Sequence, residues 1–223
     1  MMLKTIRNLA LAFLAPAVLV SSSYAASIGI INGSFESPVV GPGFVLRNAG
    51  SPLLTGWEIT AGSIDHIGTY WEAAAGIQSV DLTGSSLGTI RQLISVPISG
   101  DVTISFAMAG NPDDSFKIKT LEVSLIGNGI PFSFDAQGFT RANMGWEYKT
   151  ATFSGAVAGD YYLQFKSTTT DGAPFFGAAL DDVSASVTVP EGGMTVVLLG
   201  MSITAMGLAR RFVSRTRLQL VAE

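Results

Sequence analysis

Residues 102–108 read Val-Thr-Ile-Ser-Phe-Ala-Met, with an apolar side chain at every second position, and similar alternation returns at 121–125, 146–153, 161–165 and 180–189. A period of two places the apolar side chains on one face of an extended strand, and that face has to be buried against a second layer. The intervening stretches are turn chemistry: Gly-Pro-Gly at 41–43, Gly-Ser-Ser at 84–86, Gly-Asn-Pro-Asp at 110–113 and Gly-Asn-Gly at 127–129. No stretch between the two ends of the chain sustains a helical stripe, although residues 70–77 have room for a single helical turn. Strands about a dozen residues apart imply an all-β sandwich, and a jelly roll is the expected form.

Composition removes several function classes. The chain has no Cys, which excludes a disulfide scaffold, a Cys-ligated zinc site, an iron–sulfur site and a thiol nucleophile together. Residues 26–189 form one expected module, long enough to bury roughly 70% of its unfolded surface. They carry seven basic side chains against fifteen acidic ones, a net charge of −8 that the whole-chain value of −4 conceals. An acidic, weakly charged domain is a poor partner for nucleic acid and suits neutral ligands or divalent cations.

The two ends have different charge layouts. Lys4 and Arg7 precede an apolar run from Leu9 to Val20, and Ser23-Tyr24-Ala25 has the small-x-small cleavage pattern, so residues 1–25 read as a signal peptide. The competing reading, a retained anchor, needs a longer apolar run. At the other end Val189-Pro190-Glu191-Gly192-Gly193 leads into sixteen uncharged residues, 194–209, and then Arg210, Arg211, Arg215 and Arg217. A helix of that length spans roughly 24 Å, short of a hydrocarbon core of about 30 Å, and snorkelling arginines with Phe212 and Val213 make up the difference. Its apolar residues run all round the helix, which favours a transmembrane helix over an ordinary buried one. The arginines of 210–223 then stay cytoplasmic, and the domain faces outward.

This C-terminal order of parts resembles the bacterial PEP-CTERM sorting signals. Val189-Pro190-Glu191-Gly192-Gly193 departs from the commonest Pro-Glu-Pro form, and thirteen residues follow Arg210 where the class usually has few. The resemblance implies an exosortase-type membrane protease as partner, cleavage near 190–193, and delivery to the cell surface or extracellular matrix. Within the domain, Asn32-Gly33-Ser34-Phe35-Glu36, Gly56-Trp57, the run from Gly62 to Trp71, the run from Phe106 to Pro112, Asn143-Met144-Gly145-Trp146 and Ala179-Leu180-Asp181-Asp182-Val183 resemble the choice-of-anchor C family. That resemblance implies a galactose-binding-like β-sandwich with an interchangeable surface anchor, and polysaccharide as the usual inferred partner. It does not supply a reaction.

The Asn-Gly-x-Phe-Glu and Leu-Asp-Asp-Val motifs also resemble the paired ends of jelly-roll carbohydrate-binding modules, which commonly meet at a structural calcium. That implies calcium as a cofactor held by the carboxylates of Glu36 and Asp181, since the ion takes six to eight hard oxygen ligands. The alternative is that Glu36 caps a turn and Asp181 is a solvated edge residue. Asp182 should alternate to the other sheet face. Tyr70 and Trp71, beside Asp65, His66 and Glu72, are the candidate sugar platform: an aromatic face for pyranose C–H groups, carboxylates for hydroxyls. The alternative for Trp71 is core packing, as expected for Trp57 and Trp146. Phe175-Phe176, between Pro174 and Gly177, is a second candidate surface. His66 is the sole His, so a Ser-His-Asp hydrolase would depend on it, and Asp65 should point to the opposite face of a strand. No Gly-x-Ser-x-Gly elbow, zinc motif, P-loop or dinucleotide fingerprint is present. The expectation is a non-enzymatic surface protein that binds polysaccharide, with a structural matrix component acting through protein contacts as the alternative.

Overall fold

A computed structural model describes residues 25–114, 117–170 and 175–189. The expected signal peptide, the transmembrane helix, and the sorting residues other than Val189 lie outside these residues. The described residues form twelve strands: β1 (Ala25–Ile28), β2 (Phe44–Asn48), β3 (Glu58–Ala61), β4 (Ser63–Ile67), β5 (Ser79–Asp81), β6 (Thr89–Val96), β7 (Gly100–Gly110), β8 (Ile118–Leu125), β9 (Asn128–Asp135), β10 (Glu147–Ala156), β11 (Gly159–Ser167) and β12 (Ala178–Thr188). They make two antiparallel sheets, one ordered β10-β7-β12-β5-β4-β2 with β1 also paired to β12, the other β3-β6-β11-β8-β9. The fold is a jelly-roll β-sandwich. Among the described residues no helix is long and apolar enough to cross a membrane.

The long strands follow the period of two. Along β8 the residues alternate between buried and half-buried from Lys119 to Leu125, and in β7 Val102, Ile104 and Phe106 are fully buried. Burial of each such side chain stabilises by roughly 1.5–3 kcal/mol. A relay of aromatic contacts crosses the interior: Phe35 to Trp57 at 5.5 Å, Trp57 to Phe165 at 5.9 Å, Phe165 to Phe106 at 5.2 Å and Phe106 to Phe132 at 5.1 Å. Three of these pairs are edge-on, the geometry that the ring quadrupoles favour.

The five alternating runs coincide with β7, β8, β10, β11 and β12. The remaining strands have weaker signals for identifiable reasons. In β6 the buried row of Ile90, Ile94 and Val96 is interrupted by Gln92, whose amide donates to the carbonyls of Ile31 and Gly56 and accepts from the Ile31 N–H. β9 contains Pro131, which cannot donate to a ladder, and it lies at a sheet edge. The helical turn expected at 70–77 is absent. That segment is a series of turns and bends, because its amides bond to side-chain carboxylates and not to carbonyls four residues back.

Candidate functional site

A pocket of about 280 Å³ opens at the β2 end of the larger sheet. Ladder register builds its floor: Leu46 on β2 pairs with Asp65 on β4, and residues in register project to the same face of a sheet, while Asp81 on β5, paired with Asp65, continues the row fully buried and outside the lining. Phe44, in register with Ile67, adds an aromatic wall from the edge strand. The segment after β4 contributes Tyr70 and Trp71, the segment after β7 contributes Asn111 and Asp113, and Phe175 and Phe176 close another side ahead of β12.

Tyr70 organises the mouth. Its ring meets Phe44 edge-on at 5.1 Å, its hydroxyl donates to Asp113 Oδ2 at 2.8 Å, and the Arg141 guanidinium lies 4.0 Å from the ring centroid. Arg141 also holds both Asp113 oxygens, donating from Nε and Nη2. The tyrosine hydroxyl is pushed above its usual pKa, first by burial and then by the Asp113 carboxylate. On the other side of Tyr70 and Trp71 an open groove of about 610 Å³ runs along Glu72, Gly76, Ile77 and Arg141. The two aromatic residues therefore line both the pocket and the more open groove.

Trp71 is only 4% exposed and donates its indole N–H to Ser79 Oγ at 2.8 Å. It packs chiefly in the core, as in the alternative reading, and lends an edge to the pocket. His66 is separated from the other platform residues. It is fully buried on the face opposite Asp65, with Nε2 against the Phe35 carbonyl at 2.8 Å and Nδ1 accepting from Arg47 Nε at 3.2 Å. Burial pushes its pKa down, which suits a neutral ring accepting from arginine. Trp57 is buried and Trp146 half-buried; they donate to the carbonyls of Asn32 and Glu72, and so secure the first-strand turn and the pocket segment.

Asp65 stands apart from the other pocket carboxylates. Oδ1 is closed off from solvent with no hydrogen-bond partner, and burial raises its pKa to about 6. Its cross-strand neighbour Asp81 is fully buried. It accepts from Asn111 Nδ2, from the Thr83 N–H and from the Gly177 N–H, yet burial still raises its pKa to about 7.

The motifs containing Glu36 and Asp181 do meet. The Val183 N–H donates to the Gly33 carbonyl at 2.9 Å, and a Cβ on Gly33 would lie 2.2 Å from the Val183 carbonyl oxygen, so the contact requires glycine. This docking falls at the bulge of β12 between Asp181 and Ser184, where Asp182 takes a φ of 45°. Asp181 Oδ2 accepts the amides of Ala74 and Ala75, and Glu36 Oε1 those of Ile77 and Gln78, all at 2.8–2.9 Å. The two carboxylates clasp one loop from its two ends. Four backbone N–H groups are directed at these oxygens, the arrangement that anchors a carboxylate. Glu36 thus matches the turn-capping alternative, whereas Asp181 is wholly buried and not a solvated edge residue. Asp182 leaves the ladder face and accepts from the Tyr148 hydroxyl.

Phe44, Leu46, Asn111, Asp113 and Arg141 are site residues that sequence reasoning did not single out. Only register and loop docking bring them beside Tyr70. Phe175 and Phe176, identified from their Pro and Gly flanks, do line the pocket.

A family model described as protein of unknown function, DUF642, matches residues 29–186. A relative named halomucin, from Haloquadratum walsbyi, is 26% identical over 172 residues; that is 70% of this chain, which spans 2% of the length of the relative. Among solved structures, the Stig cyclase Fisc from Fischerella sp. TAU is similar at 14% identity with a TM-score of 0.50, covering 75% of this chain and 99% of the cyclase. A family 35 carbohydrate-binding module from Cellvibrio japonicus is similar at 17% identity with a TM-score of 0.42, covering 75% of this chain and 95% of the module. The likeness to the cyclase shows a common fold and nothing of its chemistry.

Proposed function

The chain belongs to the DUF642 family, whose match takes in every residue lining the pocket, and on that premise we propose that it is an exported, non-enzymatic surface protein that binds extracellular polysaccharide. The observation that carries this reading is a one-ring compartment with aromatic walls and the Asp65 side chain in its floor, which shares Tyr70 and Trp71 with an open groove. The compartment is at the lower limit of ligand pockets, which run from roughly 300 Å³, and so fits a single sugar ring, while the groove leaves room for the neighbouring units of a polymer. A non-catalytic reading is supported by His66, whose ring is sealed on the opposite face of β4. Export and sorting rest on the end segments: the basic and apolar run of 1–25, the Val-Pro-Glu-Gly-Gly motif, and the arginines from Arg210. On this reading the chain is a choice-of-anchor C protein with a PEP-CTERM-type signal, held in the inner membrane with the domain on the periplasmic side until an exosortase-type protease acts.

The test is affinity electrophoresis of the full-length chain through gels containing soluble polysaccharides. Retardation is expected with at least one polymer, and Phe44→Ala and Tyr70→Ala are each expected to weaken it about tenfold, the loss typical of a central aromatic contact. Phe44 is 48% exposed, so its removal leaves the core intact. Free migration in every polymer, or equal retardation of both variants, would overturn the reading. The structural matrix alternative draws on β2, an edge strand whose Phe44, Val45 and Leu46 are all exposed. Concentration-dependent self-association abolished by Val45→Lys would favour it.

A further inference from the structure

We infer that the pocket selects a cationic sugar, a pyranose bearing a free protonated amine, over neutral or N-acetylated units. This rests on the saccharide reading above and specifies its ligand class. Three features converge. First, no donor among the described residues satisfies Asp65: Oδ1 lacks any partner, and no ion pair involves the side chain. Its neighbours in the ladder are Leu46 and Asp81, one apolar and one acidic. The side chain is half-buried and lines the pocket, so the missing counter-charge is left for a ligand to supply through the part of the carboxyl group that faces the compartment.

Second, the charges around the compartment do not balance. Among the described residues Asp65 and Asp113 contribute carboxylates to its lining, and the neighbouring cation, Arg141, is already held by Asp113 at 2.8 Å and stacked on Tyr70, which leaves Asp65 uncompensated. Asn111 donates to Asp81 and is likewise engaged. A neutral hydroxyl would offer Asp65 one hydrogen bond; an ammonium offers a hydrogen bond together with neutralisation of a carboxylate shielded from water, the stronger class of contact.

Third, the walls suit such a ligand. Phe44, Tyr70, Phe175 and the Trp71 edge present ring surface that attracts both the C–H face of a pyranose and an adjacent positive charge. The breadth of the compartment favours a ring over the slender side chain of a lysine. The net charge of −8 over residues 26–189 also draws a polycationic polymer towards the surface, in a salt-dependent manner.

The experiment is isothermal titration of the full-length chain at pH 7 with a glucosamine tetramer, an N-acetylglucosamine tetramer, a cellotetraose and an oligolysine peptide. The glucosamine tetramer is expected to bind about tenfold or more tighter than the two uncharged oligomers, with Asp65→Asn bringing the three to within about twofold. Asp101→Asn, on β7 away from the pocket, controls for general loss of negative charge and should retain the preference. If the uncharged oligomers bind as well as the amine, or the preference survives in Asp65→Asn, the inference falls and the saccharide reading stands. Oligolysine binding as tightly as the tetramer overturns the sugar assignment, and no binding of any oligomer removes both readings.

Discussion

Asp65 shows how a single carboxyl links stability to function. Its folded-state pKa, about 6, exceeds the roughly 3.9 of an exposed aspartate. Asp81 and Asp181, each at about 7, are displaced in the same direction by burial. The folded state therefore binds more protons than the unfolded chain between about pH 4 and pH 7, and stability falls as pH rises through that window. The full-length chain is accordingly expected to melt at a higher temperature at pH 5 than at pH 8 by differential scanning calorimetry. Asp65→Asn, which replaces the charge by a neutral amide, should raise the melting temperature at pH 8 and lose that gain at pH 5; a drop at pH 8 would contradict the displaced pKa. Lys119 is the opposite case, a fully buried ammonium donating to Asp114 Oδ2 at 2.7 Å. Removing the cation in Lys119→Met is expected to cost about 3–5 kcal/mol in urea denaturation, because the buried carboxylate loses its compensating charge. The effect extends to the pocket, since this pair fastens the segment that presents Asn111 and Asp113.

At the scale of elements, the loop of residues 73–78 is held from outside itself. Its amides are taken by Asp181 and Glu36, and Gly76 sits between the two grips at a φ of 66° with Glu36 Oε1 2.3 Å from where a Cβ would stand. Gly76→Ala should destabilise by about 1–3 kcal/mol, the usual cost of a strained backbone position, and weaken polysaccharide binding through Tyr70 and Trp71. Equilibrium denaturation and gel retardation of the same variant check both effects. The anchors also bear on calcium. With Glu36 Oε1 and both Asp181 oxygens already accepting backbone N–H groups, melting curves in calcium and in chelator are expected to superimpose, and a calcium-dependent rise of several degrees would establish a bound ion. The sequence placed Glu36 and Asp181 together through their motifs, but the kind of contact they make followed from which loop came to lie between them.

At the scale of the whole molecule, the proposed reading gives the described fold and the end segments separate tasks. Deleting residues 190–223 is expected to leave polysaccharide binding unchanged while moving the chain from the envelope fraction to the soluble exported one, read by fractionation and immunoblotting. An unchanged distribution would remove the sorting proposal. The sandwich itself was legible in residues 102–108, 121–125 and 161–165, because alternation is a local consequence of strand geometry and a buried face demands a second sheet. Turn chemistry and the lack of cysteine were legible for the same reason, each being a property of residues taken one or a few at a time. The pocket was not. Leu46, Asp65 and Asp81 come into one row through pairings of β2, β4 and β5, and Asn111, Asp113, Arg141 and Phe175 reach Tyr70 from segments far apart in the chain. Likewise nothing local distinguishes a tryptophan that stacks on a ligand from Trp71, which bonds to Ser79 in the core. The sequence by itself determined the periodicity, and with it the strands and their apolar faces; tertiary structure decided which polar groups were left without partners, because hydrogen bonding and desolvation depend on neighbours that only folding supplies.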